Sequence, residues 1–412
     1  MKLKNTLLTL LVLAAAMPAS AGEMDMLLYR LAEKNVIAPA EVREIKAAER
    51  PQPKAELPSW LQTMKFHGDM RLRAESVDNN DRTGRESRGR IRLRAGAAAA
   101  VNDTWTVGLG LASGSSADSR STNQTLTSNF SKKDLYLDYA YAEYKGANGF
   151  SFTGGRMHNP FWTSNDMLWD GDINPEGAAF KLASQQKSGF RPFAAGAWFA
   201  LDESASSSQA PFLAAGQAGF KWSGADKLDF TAAMTYYDFA NVKGRGELAN
   251  RPSTPSSYVK SNTLAGSVYK YNYDSLAADV ELNKGFAPVN IAGTGLKLDY
   301  AGLFGGGVKA TDHSRQNAAW IAGFKLGQRK VEEAGQWQFR YSLRRLEAEA
   351  WLDTYPDSDF YGGSTGVKGS EMVLTLGVAR NMNVEADYYS DKRISDTSKR
   401  EHLLQADLNL KF

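Results

Sequence analysis

From about residue 64 to its last residue, the chain repeats a pattern in which apolar side chains alternate with polar or small ones. Successive side chains of a β-strand point to opposite faces, so this period predicts strands with one apolar and one polar face. Each repeat is about 10 to 13 residues long, the length of a tilted strand that crosses a bilayer. We predict about sixteen strands, near residues 64–75, 90–101, 104–115, 134–145, 150–158, 176–185, 190–203, 212–223, 228–240, 270–284, 296–308, 318–329, 336–349, 368–380, 383–393 and 400–412.

The two faces of a single strand differ clearly in chemistry. In the segment 336–349, four apolar residues alternate with four polar ones: Trp337, Phe339, Tyr341 and Leu343 against Gln338, Arg340, Ser342 and Arg344. A soluble β-sandwich could show the same pattern, but about sixteen strands of this length carry more apolar face than small or medium sandwiches bury. The predicted fold is therefore all-β: a transmembrane, antiparallel, up-and-down β-barrel.

The predicted connections alternate between short turns and long polar stretches. The short ones are 102–103, 146–149, 186–189, 224–227, 331–335 and 381–382, and the long ones are 76–89, 116–133, 159–175, 241–262 and 351–366. Bacterial outer-membrane barrels have short turns at one rim and long loops at the other. This parity supports a barrel rather than a sandwich.

The first residues are typical of a secretory signal peptide. Lys2 and Lys4 precede a short apolar run over 7–17, and Ala19-Ser20-Ala21 is a small-residue cleavage site. The apolar run is roughly 11 residues, shorter than the roughly 20 that a membrane-spanning helix needs. We expect a signal peptide over 1–21 and, after its cleavage, delivery to the cell outer membrane.

Residues 22–62 differ in pattern from the rest. Leu27, Leu31 and Ile37 are spaced as in short helices, and Pro51 and Pro58 follow in a proline-rich linker. We predict a periplasmic helical segment here and the barrel over 63–412. The segment could be a solvated leader, or a domain that docks on a partner or on the barrel rim.

Composition excludes several classes of function. The chain has no cysteine and four histidines, which rules out a disulfide scaffold and a thiol nucleophile, and we expect no metal site or cofactor. Its 49 Lys and Arg residues are nearly balanced by 46 Asp and Glu residues, so nothing favours nucleic-acid binding. An outer-membrane hydrolase is disfavoured, because no histidine lies in a recognisable nucleophile motif.

The last segment and one central region carry a resemblance. In the last segment, every second residue from Leu404 is apolar, and this alternation, which begins at His402, ends on Phe412. The central region reads GRMHNPFW (155–162) and WDGDINPEG (169–177). Over residues 64–412 the chain resembles bacterial outer-membrane porins, most closely the group named "Putative porin". The resemblance implies a water-filled channel in contact with outer-membrane lipid, and a terminal Phe412 that the outer-membrane assembly machinery reads. Porins are commonly homotrimers, so a trimer is also implied.

Arginines mark the polar face of two adjacent predicted strands. Neighbouring strands lie about 4.8 Å apart, so these guanidinium groups would form one basic patch on the channel wall: Arg71, Arg73, Arg90, Arg92 and Arg94. Arg340 and Arg344 would extend the positive charge elsewhere. The alternative is a set of rim or interstrand ion pairs with Asp69, Glu75 or Glu86.

The stretch 159–175 is the candidate constriction loop. It is long, aromatic and acidic, with carboxylates at Asp166, Asp170 and Asp172. By resemblance to general porins, it folds into the lumen and its carboxylates face the arginine wall. Two alternatives remain: a loop that only caps the barrel, and a calcium site at Asp170 and Asp172, which lacks the further spaced ligands of an EF-hand.

The predicted function is therefore an outer-membrane porin that lets ions and small hydrophilic solutes diffuse passively through a narrowed channel. The alternative is a structural or adhesive barrel that binds an envelope partner through its N-terminal helical segment. Aromatic residues such as Tyr139, Tyr236 and Tyr237 are expected to divide between an outer girdle and the inner wall.

Overall fold

The computed structural model describes residues 59–81, 84–127, 129–203, 209–246, 248, 261–291 and 293–412, and a few isolated residues before them. The chain divides into two compact units, Met1–Gln62 and Thr63–Phe412. In the first unit, Ser59–Gln62 form a short helical turn. The predicted signal peptide and nearly all of the predicted helical segment lie outside the described residues. Within the described residues, no helix is long and apolar enough to cross a membrane.

The second unit is built from β-strands. In the described part of the chain, seventeen strands form one sheet, and a separate hairpin consists of two very short strands. The strands are β1 (Lys65–Asn79), β2 (Gly84–Ala100), β3 (Trp105–Ser113), β4 (Gln124–Thr125), β5 (Leu135–Lys145), β6 (Phe150–Arg156), β7 (Glu176–Ala183), β8 (Gly189–Ala200), β9 (Phe212–Ser223), β10 (Leu228–Ala240), β11 (Leu264–Ala265), β12 (Val268–Tyr269), β13 (Ser275–Asn290), β14 (Lys297–Ala310), β15 (Ala318–Gly327), β16 (Trp337–Leu346), β17 (Val367–Ala379), β18 (Met382–Arg393) and β19 (Arg400–Lys411).

The large sheet closes on itself. Each long strand pairs antiparallel with the long strands before and after it in sequence, and β1 also pairs with the last strand, β19, from Asp69 opposite Lys411 to Asn79 opposite Glu401. The two-residue β4 is an addition beside β2, which leaves sixteen strands in the ring within the described residues. Closure leaves no sheet edge. The predicted closed, antiparallel, up-and-down barrel of sixteen strands is confirmed.

The outer face of the ring is apolar. On β3, Trp105, Val107, Leu109 and Leu111 are between 38% and 51% exposed. On β10, Met234 and Tyr236 are exposed, whereas Thr235 and Tyr237, which alternate with them, are buried. Apolar side chains that point away from the barrel are what a lipid-facing surface requires. Aromatic residues are found on both faces, as expected.

The two rims differ as predicted. At the rim where the barrel segment begins and ends, most connections are short, such as 380–381, where Asn381 takes a φ of 58° suited to a two-residue hairpin. The opposite rim carries the longest ones, 114–134, 157–175, 241–274 and 347–366. The long loop predicted over 76–89 is wrong, because β1 and β2 extend to Asn79 and from Gly84. This hairpin carries polar side chains on both faces, so the apolar alternation that reveals a strand is missing there.

An apolar core lies between the long loops and the inner face of the ring. It joins residues of loop 157–175 and of loop 347–366 to side chains of β10 and its neighbours: Phe161, Met167, Leu168, Trp169, Trp351, Leu352, Phe360, Tyr237 and Phe239. Trp351 is completely buried. Burial of this many large apolar groups fixes the two loops against each other and against the wall.

Candidate functional site

The five arginines predicted on one face of β1 and β2 share that face in the structure. The strand register places Arg71 directly opposite Arg92, and Arg73 directly opposite Arg90. Like charges in directly opposite positions destabilise a sheet. Nearby carboxylates must therefore compensate for them.

Each of these arginines contacts a carboxylate. Within the ring, the closest nitrogen–oxygen distances are 3.3 Å for Arg71–Asp407, 2.8 Å for Arg73–Asp407, 3.3 Å for Arg90–Glu75, 2.7 Å for Arg92–Asp69 and 2.8 Å for Arg94–Asp69. Arg73 binds Asp407 through two parallel hydrogen bonds, a strong and directional arrangement. The interstrand ion pairs considered as the alternative do form with Asp69 and Glu75, so this wall carries charges of both signs.

Arg340 and Arg344 lie on β16 and share the carboxylate of Glu371 on β17. Arg344 is 3% exposed, and its guanidinium group also contacts the carboxyl groups of two loop residues, at 3.0 Å to Asp357 and 3.5 Å to Asp166. Its guanidinium carbon lies 4.1 Å from the centre of the Phe360 ring, in a cation–π contact. Arg344 therefore ties the wall to both long loops.

Loop 157–175 is held by polar contacts to several strands. Asp172 forms an ion pair with Arg94 on β2, at 3.0 Å, and accepts two hydrogen bonds from Thr122. Trp162 pairs through its backbone with the side chain of Gln217 on β9, and the Ser164 hydroxyl donates to Asp279 on β13, at 2.9 Å. Together with Asp166 at Arg344, the loop reaches β2, β9, β13 and β16.

Asp170 does not contact the arginine wall, in contrast to the expectation for the loop carboxylates. Its carboxylate accepts hydrogen bonds from the backbone N–H groups of Asp172, at 3.0 Å, and Ser358, at 2.8 Å. Burial raises the pKa of Asp170 well above its usual value, and the nearby carboxylates of Asp172 and Asp357 raise it further. Asp170 therefore links the two loops.

The described residues contain no group of three or more acidic or histidine side chains arranged to hold a metal ion. Asp172, the other residue of the calcium alternative, is bound to Arg94 and Thr122. In the structure, the carboxylates of Asp170 and Asp172 are thus engaged by hydrogen bonds and an ion pair within the protein.

A cavity of about 580 Å³ lies against the wall next to this loop. Besides the wall arginines, it is lined by polar groups that the sequence analysis did not single out for this role: His67, Asp69, Asp138, Tyr139, His158, Glu385 and Asn409. His67 and Tyr139 are hydrogen-bonded at 2.8 Å, and the His158 ring lies 4.5 Å from that of Tyr139. The cavity can accommodate water and small polar solutes among charges of both signs.

A β-bulge explains why Asp138 and Tyr139 were missed. Gly110 pairs with Tyr139, but Leu111 pairs with Leu137, so Asp138 is the extra residue of β5. The alternation of inward and outward side chains along β5 shifts by one residue at this point, so that two consecutive residues, Asp138 and Tyr139, line the cavity. A Cβ atom at Gly110 would overlap the Tyr139 ring, so this glycine makes room for the inward tyrosine.

Phe412 lies beside the junction of the first and last ring strands. Its backbone N–H donates to Gly68 at 3.0 Å, and its carbonyl accepts from Gly68 at 2.8 Å. Its side chain is 67% exposed. Its role as an assembly signal remains a prediction.

Comparison with solved structures shows similar barrels. The chain is 11% identical to Pseudomonas putida OprB in its high-pH structure, with a TM-score of 0.54 over 85% of this chain and 94% of that one. A Rhodopseudomonas blastica porin triple mutant is 11% identical, with a TM-score of 0.43 over 85% of this chain and all of that one. A loop-deletion mutant of Vibrio cholerae OmpT is 12% identical, with a TM-score of 0.44 and the same coverage. The likeness to OprB supports the fold alone.

Comparison with protein families is more direct. No curated protein matches the chain. A family model described as "Putative porin" matches residues 78–272 and 267–412, which is most of the chain. The family and the fold indicate a channel rather than an enzyme. The chain belongs to the "Putative porin" family and is a porin of the bacterial outer membrane.

Proposed function

We propose that the protein is a passive diffusion channel for ions and small hydrophilic solutes, narrowed by loop 157–175. The contacts of this loop with Arg94, Gln217, Asp279 and Arg344 carry the proposal. These residues belong to strands that lie far apart around the ring. A loop folded over the outside would contact neighbouring strands, and a loop that only capped the barrel would contact strand ends. Arg94 and Gln217 lie well inside β2 and β9, which supports a loop that crosses the interior.

Charges of both signs around the narrowed zone support a preference for polar solutes. Arg92 and Arg94 face Asp69, and Arg94 also faces the loop carboxylate of Asp172. Fixed charges held in place by such pairs orient water across the channel. An apolar solute would have to displace that water without replacing its interactions, so the channel should favour polar solutes.

Deleting residues 162–172 tests the role of the loop. The deletion removes the contacts to Asp279 and Arg344, so we expect larger single-channel conductance in planar bilayers. Heat-modifiable mobility in gel electrophoresis should verify that the shortened protein still folds as a barrel. Conductance equal to that of the intact protein in a folded deletion variant would place the loop away from the conducting path.

A charge reversal tests the pore-lining role of the wall arginines. Arg92→Glu combined with Arg94→Glu should shift the reversal potential in a salt gradient toward cation preference. Lys330→Glu with Arg380→Glu is the matched control, because it changes the charge equally at exposed turn residues. Screening over about 10 Å at 0.1 M salt should make the control effect small. An unchanged potential in the wall variant would remove these arginines from the conducting path.

We also propose the division of the chain into a signal peptide over 1–21, a periplasmic segment over 22–62 and the barrel over 63–412. The compact unit that begins at Thr63 supports the last boundary. N-terminal sequencing of the mature protein tests the first. A homotrimer is proposed from the resemblance to porins, and the native mass in detergent tests it.

A further inference from the structure

A second cavity, of about 310 Å³, lies on the inner face of β7, β8 and β9. Its lining combines three cations with aromatic and amide groups: Trp162, Lys181, Arg191, Phe193, Gln217 and Lys221. We call it the β7–β9 recess. The neighbouring side chains on these strands, Phe180, Phe190 and Trp222, are exposed on the opposite, outer face. The recess therefore opens to the interior of the barrel.

The positive charges of the recess are less compensated than those of the β1–β2 wall. Arg191 lies directly opposite Lys221 in the register, a placement that destabilises a sheet. Among the described residues, no carboxylate forms an ion pair with Lys181 or Lys221. Glu143 attracts Lys181, but it is itself 3.3 Å from Lys145. By contrast, every arginine of the β1–β2 wall has a carboxylate partner.

Arg191 is held in place by a hydrogen bond to β9, and its buried Nε donor is unused. Its Nη2 atom donates to the Ser223 hydroxyl at 2.6 Å, and Ser223 in turn donates to Asp229 at 2.7 Å. The Nε atom of Arg191 is buried and has no hydrogen-bond partner in the described part of the chain. A buried donor without a partner is costly. An anion in the recess would reduce the repulsion between Arg191 and Lys221.

The other side of the recess is apolar and fixed. Gln217 is 4% exposed and binds both the backbone N–H and the backbone carbonyl of Trp162, each at 2.9 Å. This places Trp162 against the recess near Phe193 and Pro160. Ring surfaces of this kind bind planar apolar groups. A bare inorganic anion would leave them unused.

We propose that the β7–β9 recess is a binding site for small carboxylates that carry an aromatic ring and pass through the channel. The carboxylate lies among Lys181, Arg191 and Lys221, and the ring lies against Trp162 and Phe193. The volume is at the lower end of the 300–1,000 Å³ typical of small-molecule pockets, so the solute has about one ring. This inference rests on the proposed channel.

Single-channel recording with benzoate tests the site. Benzoate should interrupt the current reversibly in the intact protein, whereas acetate, which lacks the ring, and benzyl alcohol, which lacks the charge, should interrupt it far less. Lys181→Gln with Lys221→Gln should weaken the apparent affinity for benzoate about a hundredfold, because two contacts to charged groups are lost and each costs about one power of ten. Lys325→Gln is the control, since Lys325 already pairs with Glu281 at 3.0 Å.

The readouts separate this inference from the channel itself. Ohmic current without benzoate interruption in the intact protein would refute the site and keep the channel, whereas absence of current in a folded barrel would refute the channel. Equal benzoate affinity in the double variant and in the intact protein would also refute the site. Unblocked conductance and heat-modifiable mobility establish that each variant is folded.

Discussion

Trp351 provides a sharp test of how the loops are held. It is completely buried, and its ring centre lies 4.8 Å from that of Tyr237, 5.1 Å from that of Phe239 and 5.8 Å from that of Trp169. Its indole N–H donates to the carbonyl of Leu168 at 2.8 Å. Trp351 thus joins loop 347–366 to loop 157–175 and to the wall.

Trp351→Ala should loosen both loops without opening the ring. Truncating a buried tryptophan to alanine costs about 3–5 kcal/mol. The strand ladders are untouched, so we expect this cost to weaken the attachment of the loops. At 1.4 kcal/mol per tenfold change, the population of detached loop should rise by about two to three and a half powers of ten.

Single-channel recording measures this change directly. We expect greater open-channel noise and visits to a higher conductance level in Trp351→Ala. Trp351→Phe keeps most of the buried ring but leaves the Leu168 carbonyl without its donor, at a cost of about 1–3 kcal/mol, so its effect should be smaller. Recordings of Trp351→Ala with the conductance and noise of the intact protein, in a barrel of normal heat-modifiable mobility, would refute this reasoning.

Further predictions concern the ionisation of Asp357, the Arg94–Asp172 ion pair and the terminal Phe412. Burial, and next the carboxylate of Asp166, raise the pKa of Asp357 to about 8. As Asp357 becomes negatively charged between about pH 7 and about pH 9, cation preference should rise in the intact protein but not in Asp357→Asn. The same dependence of the reversal potential on pH in both proteins would contradict this. The folded state binds the proton of Asp357 more tightly than the unfolded state does, so the stability that this proton contributes should be lost as pH rises from about 4 to about 8. Melting temperatures of the intact protein and of Asp357→Asn, measured across this pH range, check it. Arg94→Gln and Asp172→Asn should each raise open-channel noise less than Trp351→Ala, since this pair is only partly buried and ion pairs in contact with solvent contribute only about 0–1 kcal/mol. In a double-mutant cycle, strictly additive effects would mean that the pair is not coupled. Removing Phe412 eliminates two backbone hydrogen bonds to Gly68 and should lower the fraction of heat-modifiable protein in outer-membrane extracts, and an unchanged fraction would argue against an assembly role.

The ring could be predicted from the sequence because one physical constraint acts on every strand. Lipid outside and polar groups inside impose alternation on residues such as Leu109 and Leu111, and the parity of the connections follows from the antiparallel order. Where lipid does not act, the pattern disappears. The hairpin of Asn79 and Gly84 is the clearest example, since its strands carry polar side chains on both faces.

The site was less predictable because it depends on register and on loop packing. Alternation placed the arginines of β1 and β2 on one face, but their partner Asp407 comes from β19, more than 300 residues away in sequence. The bulge at Asp138 reverses parity within a strand, which no periodic pattern can reveal. Loop 347–366 contains Trp351 and Leu352, yet its irregular sequence gave no sign that these side chains pack on loop 157–175.

The most direct test of the central claim is planar-bilayer recording of the purified, detergent-refolded protein. A ring with an apolar outside and a polar interior should insert and conduct in discrete steps, with current proportional to voltage. A silent bilayer, observed with protein that is folded by its heat-modifiable mobility, would contradict the claim that this barrel is an open channel.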